Sequence, residues 1–148
     1  MDPIELWHGL RDGVIGTLVD SGPSWALRVF QDGDRVEYAL VTPLGRHGGW
    51  TTPGSADANG AWIHWGGTTG PGRPFYLVGA ASRVVQRLVA HLDDGSSLEI
   101  RPAGSELGFP NVYFAAELPL GRRAVTIDVL DAAGNVLERV DTSASLEV

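Results

Sequence analysis

Val112-Tyr113-Phe114-Ala115-Ala116-Glu117-Leu118-Pro119-Leu120-Gly121, running on through Ala124–Leu130, Asp131-Ala132-Ala133-Gly134-Asn135 and Val136–Val140, is the stretch whose reading decides the fold. Side chains on a strand alternate between two faces. Tyr113 and Ala115 alternate here with Phe114, Ala116 and Leu118. In the next run Val125, Ile127 and Val129 are expected to face inward and Thr126 and Asp128 outward. Pro119-Leu120-Gly121 and Asp131–Asn135 supply the turn chemistry between the runs. Period two with short turns, and no helical period, predicts antiparallel hairpins.

The same pattern extends towards the N-terminus. Asp94-Gly95 turns a long run, Arg83–Leu92, into Ser97–Arg101; the run is expected to be the longest strand and to carry a bulge. Phe75–Ala80 is a strand before it, and Gly104, Gly108 and Pro110 mark a loop after it. Trp25–Phe30 and Val36–Val41 form a hairpin about Asp32-Gly33, with Trp25, Leu27 and Val29 on one face and Val36, Tyr38 and Leu40 on one face. Gly13–Val19 is a further strand, closed by Asp20-Ser21-Gly22-Pro23. Asp2 to Leu10 predicts a single helical turn, capped by Asp2 and ended by Gly9. Thr42 to Gly60 reads as a long loop, Trp62–Trp65 as a short strand, Gly66 to Pro74 as a second glycine-rich loop, and Asp141–Val148 as a frayed tail.

These readings predict one all-β domain over 1–148, an antiparallel β-sandwich of about ten strands with immunoglobulin-like topology. Its first half is 13–65, with the long Gly/Pro loop; its hairpin-rich second half is 75–140. A small β-barrel is the alternative fold. The 20 Gly and 9 Pro suit strands and loops, since both residues interrupt helices.

The net charge of -7 argues against a nucleic-acid partner, because phosphate binding needs clustered positive charge. Every basic residue other than histidine is Arg, so lysine Schiff-base chemistry and a P-loop lysine are excluded. With no Cys, disulfides, thiolate nucleophiles and cysteine-ligated zinc are excluded as well. Met1-Asp2-Pro3 is acidic and no apolar run follows, so neither a signal peptide nor a membrane span is expected. The chain is expected to be soluble as it stands, either cytoplasmic or extracytoplasmic after removal of an upstream segment.

Val78-Gly79, Val84 to Leu92, Asp93-Asp94-Gly95-Ser96, Phe114–Gly121, Val125 to Leu130 and Asp131–Leu137 together resemble an uncharacterised β-sandwich domain recurrent in actinobacterial proteins. There an Asp-Gly hairpin, an aromatic strand ending in Leu-Pro and an Asp-x-x-Gly hairpin follow one another. The resemblance covers the C-terminal half only and implies a fold, with no activity attached. Such domains often lie extracytoplasmically beyond a membrane helix and carry a cysteine pair; this chain has neither.

Candidate chemistry is sparse. His8, His47, His64 and His91 show no local metal-binding spacing; a set such as His47, His64 and Asp57 would have to be assembled from separate segments. No metal and no cofactor is therefore assigned. No Gly-x-Ser-x-Gly elbow is present, and Ser24, Ser55, Ser82 and Ser105 lie at turns. The carboxylates, among them Asp32, Asp34, Asp93, Asp94, Glu99, Glu106, Glu117 and Asp128, fall in turns or on outward strand faces. Gly66–Pro74 lacks the Lys-Ser/Thr ending and the following helix of a phosphate loop.

Aromatics gather instead. Trp50, Trp62 and Trp65 lie close in sequence to Arg46, His47, His64 and Arg73, so this set is the candidate binding site. The rings would stack on a ligand while Arg and His supply directional hydrogen bonds. The leading functional expectation is a non-catalytic binding or protein-interaction module. A small β-barrel enzyme or carrier with an apolar pocket, from secondary metabolism, is the alternative, and a structural or assembly domain is the third. Exposed edge strands would allow homodimerisation in any of them.

Overall fold

The computed structural model describes residues 9–11, 14–15, 17–32, 35–42, 45–51, 63–68, 72, 74–109 and 111–142, with side chains described at 17–31, 36–42, 72, 74–109 and 111–142. Its described strands are β1 (Gly9–Arg11), β2 (Val14–Ile15), β3 (Thr17–Gly22), β4 (Trp25–Asp32), β5 (Arg35–Thr42), β6 (Gly45–Thr51), β7 (Ile63–Thr68), β8 (Tyr76–Ala81), β9 (Arg87–Leu92), β10 (Ser97–Ile100), β11 (Val112–Glu117), β12 (Ala124–Leu130) and β13 (Val136–Asp141). A 3-10 turn at Ser105–Leu107 is the one helical element among the described residues, so none of them forms a helix long and apolar enough to cross a membrane.

The strands build an all-β antiparallel sandwich. One four-stranded sheet runs β3-β4-β5-β6, a second runs β10-β9-β12-β13, and a three-stranded sheet β11-β8-β7 lies between their cores. Among the described residues each sheet is open-ended, so they form no closed barrel. β1 and β2 form a separate small ribbon.

The middle sheet explains why the sequence from Val112 carries two apolar faces. Phe114 and Ala116 on one face of β11 and Leu118 just after it, with Leu77 and Ala81 of β8, join Leu88, Ala90, Leu92, Ile127 and Val129 in one core. Tyr113 and Ala115, with Tyr76, Val78 and Ala80, join Trp25, Leu27, Val29, Val36, Tyr38 and Leu40 in another. All six residues of β8 are buried, as continuous apolar strands covered on both faces require. Tyr113 is fully buried and its ring meets those of Tyr38 at 5.9 Å and Phe109 at 6.1 Å.

Several expectations differ from what is observed. Gly45–Thr51, expected within a loop, pairs residue for residue with β5, from Val36 opposite Thr51 to Thr42 opposite Gly45. The ladder forms through backbone groups alone, and Gly45, Gly48 and Gly49 carry no side chain to reveal its period. Gly66-Gly67-Thr68 likewise extends β7 opposite Val78, Leu77 and Tyr76. Arg83-Val84 form a turn closed by Val85 N–H donating to Ser82 O at 3.0 Å, so the strand there begins at Arg87 and is shorter than β4 and β5 instead of being the longest. Val125 is outward and partly exposed, because a register shift between Ala124 and Thr126 gives the inward position to Ala124. Of the helical turn expected at 2–10, residues 1–8 lie outside the described residues, and Gly9 opens strand β1.

Candidate functional site

An open cleft of about 600 Å³ lies where all three main sheets approach one another. Asp20, Gly22, Pro23 and Trp25 of the β3–β4 hairpin form one wall, and Leu98 to Arg101 form the opposite wall. Ala115, Ala116 and Glu117 of β11 lie between them. The lining thus combines apolar surface with three carboxylates and one guanidinium.

The hairpin wall is held by local chemistry. Gly22 and Trp25 are paired across a two-residue loop, Pro23-Ser24. Asp20 Oδ1 accepts from Ser21 N–H at 2.8 Å. Trp25 is 8% exposed, with its indole against Gly22 and its remainder in the core beneath.

Glu117 ties this hairpin to the middle sheet. Ser24 Oγ donates to Glu117 Oε1 at 2.7 Å, and Tyr76 OH donates to the same oxygen at 2.9 Å. The two hydroxyls lie 3.1 Å apart. One carboxylate oxygen therefore gathers two hydroxyls from different sheets, and charge-assisted bonds of this kind are the stronger ones. Across the cleft, Arg101 Nη2 sits 2.9 Å from Glu99 Oε1 in an exposed pair.

A second polar cluster lies on the outer face of the β10-β9-β12-β13 sheet. Arg139 Nε donates to Asp128 Oδ1 at 2.6 Å and Nη2 to Oδ2 at 3.2 Å, a bidentate pair. His91 Nε2 lies 2.8 Å from Asp128 Oδ2. The Arg139 hydrogen bonds hold the Asp128 carboxyl below the usual carboxylate range, against the opposing effect of burial and with help from His91. An ionised Asp128 makes His91 Nε2 the donor. This cluster fastens β9, β12 and β13 side by side and does not line the cleft.

The residues expected from the sequence fall elsewhere. Arg46, His47 and Trp50 are on β6, with Cα partners Val41, Leu40 and Glu37 of β5. His64 and Trp65 are on β7, opposite Ala80 and Gly79 of β8. β6 also approaches β8, so the two groups stand in sheets that pack together. Trp62 and Arg73 lie outside the described residues, as do the side chains of the other five.

Sequence reading missed the cleft because its walls come from residues 20–25, 98–101 and 115–117, with no local motif among them. Ser24 and Glu117 are 93 positions apart. The Asp20–Pro23 turn and the strands through Trp25, Ser97–Arg101 and Glu117 were legible, but each only as ordinary turn or strand chemistry. No family model, curated protein or solved structure matches the chain.

Proposed function

We propose that the chain is a non-catalytic binding or protein-interaction module whose ligand occupies the cleft between the β3–β4 hairpin, β10 and the end of β11. The observation that carries this reading is the cleft itself: an open volume of about 600 Å³ whose lining joins Trp25, Leu98 and Ile100 with three carboxylates and one guanidinium. Binding sites are commonly concave and mostly apolar, with a few placed polar groups that fix orientation. Glu117 is committed to two hydroxyls, Glu99 to a guanidinium and Asp20 to a backbone N–H, which suits recognition more than acid–base chemistry.

Immunoglobulin-like connectivity for the second half belongs to the same proposal. The order β10-β9-β12-β13, facing paired β8 and β11, follows the order C′-C-F-G against B-E of immunoglobulin-type sandwiches. That order supports the resemblance carried by residues 78–137, although the cysteine pair of antibody domains is lacking. A second contact surface, using Arg46, His47 and Trp50 of β6 and His64 and Trp65 of β7 together with Trp62 and Arg73, which lie near them in sequence, is also proposed.

Amide chemical-shift mapping of the intact chain against a panel of peptides, amines and oligosaccharides tests both surfaces. Shifts centred on Asp20–Trp25, Leu98–Arg101 and Ala115–Glu117 are the expected result. A bound panel member that leaves these signals unmoved, or a panel with no binder at millimolar concentration, overturns the cleft reading.

A further inference from the structure

β11 has one paired edge and one open edge. It runs beside β8 throughout its length, but on its other side, among the described residues, only Tyr113 meets a bridging partner. Ala103 N–H donates to Tyr113 O at 2.7 Å, and Tyr113 N–H donates to Ala103 O at 3.0 Å. Alternate residues of an antiparallel strand turn their N–H and C=O to opposite sides. Tyr113 sets the parity, so Ala115 and Glu117 turn theirs towards the open edge. Leu118 N–H, donating to Phe75 O at 2.8 Å, marks the opposite parity on the β8 side.

Extending the Ala103–Tyr113 bridge would set Arg101 opposite Ala115 and Glu99 opposite Glu117. Instead Ser97–Ile100 pair with β9 in the neighbouring sheet and diverge from β11. The cleft opens in that wedge, with Ala115 to Glu117 along its side. The cleft therefore runs along the free edge of β11, where a fourth strand would pair.

We propose that an extended basic peptide segment of a partner protein enters this wedge and adds to β11 as the fourth strand of the β11-β8-β7 sheet. Its main chain bonds to Ala115 and Glu117, and its basic side chains lie towards Asp20, Glu99 and Glu117. The proposal rests on the cleft being the ligand site. A peptide fits because edge N–H and C=O groups recur at the strand repeat, which only another main chain matches. A basic one fits because three carboxylates face one guanidinium, already paired with Glu99, on a chain of net charge -7. A second copy of this chain would bring the same acidic rim against itself.

The test uses the intact chain and a fluorescein-labelled octapeptide alternating Arg with Val, read by fluorescence anisotropy. Two further forms carry N-methyl groups on the odd or on the even amides. One methylated form should lose at least about tenfold in affinity while the other binds like the parent, because only one set of amides faces β11. Affinity should also fall with added salt and for the exposed double variant Asp20→Asn/Glu99→Gln.

Equal binding by all three peptides overturns strand addition and leaves the cleft as a site read through side chains. No binding by the parent octapeptide, with the cleft signals still moved by another panel member, overturns the peptide proposal alone. Tighter binding by a Glu-for-Arg octapeptide overturns its charge. A concentration-dependent dimer that protects the Ala115 and Glu117 amides from exchange makes a second copy the occupant and overturns the partner proposed here.

Discussion

Replacing Gly22 by Ala should destabilise the protein through Trp25 alone. A Cβ built at Gly22 falls 2.6 Å from Trp25 Cε2 and 3.0 Å from Cδ1, with Nε1 closer still. These atoms belong to a rigid ring that is 8% exposed and backed by the core around Leu27, Tyr38 and Tyr113, so the ring has little freedom to yield. Overpacking of this kind costs about 1–3 kcal/mol. For a chain of this size that corresponds to about 2–4 °C in melting temperature for each kcal/mol. The assay is a double-mutant cycle in urea, comparing Gly22→Ala in the wild-type background and in a Trp25→Leu background. The penalty should largely vanish in the second, giving a coupling of about 1–3 kcal/mol between the two positions. A neutral Gly22→Ala in the wild type, or an equal cost in both backgrounds, refutes the steric account.

Three further outcomes follow from other contacts. Asp128→Asn should weaken the tie among β9, β12 and β13. Because the folded state holds this carboxyl below its ordinary range, its contribution is fully present above about pH 4 and is lost as the pH falls through the folded value; urea titrations of both proteins should therefore converge on acidification. Ala at Gly104 and at Gly134 should each cost about 1–2 kcal/mol for a positive φ, with Gly104→Ala the worse in thermal melts because its Cβ would also meet Val19 Cγ1 at 3.1 Å. Thr142→Val should cost about 1 kcal/mol, since buried Thr142 donates to Ala124 O at 2.8 Å, and exchange of the β13 amides should rise with it.

The legibility of the fold tracks the size of its side chains. Trp25, Leu27 and Val29 against Val36, Tyr38 and Leu40 announced a hairpin face, and all six lie in one core. β6 and the end of β7 stayed hidden because glycines carry the ladder there and a ladder needs no side chains. Double burial of β11 was written in its two apolar faces, but alternation alone does not say that a second layer covers the other side. Asp128 looked like an ordinary outward residue; it is buried because Arg139 and His91 close over it from neighbouring strands. The cleft was invisible for a related reason. It exists where β10 leaves β11, and divergence between sheets leaves no mark in a local pattern.

The shared middle sheet bears on how this chain could be shortened. A fragment starting at Pro74 would keep the hairpins of the second half and one of the two cores. It would also turn Tyr76, Val78, Ala80, Tyr113 and Ala115 outwards as one contiguous apolar plate, the surface now closed by β4 and β5. Plates of that kind draw proteins together. β4 and β5 therefore act as a fitted cover, and a trimmed version would need a replacement cover, or polar residues at those five positions, to stay in solution.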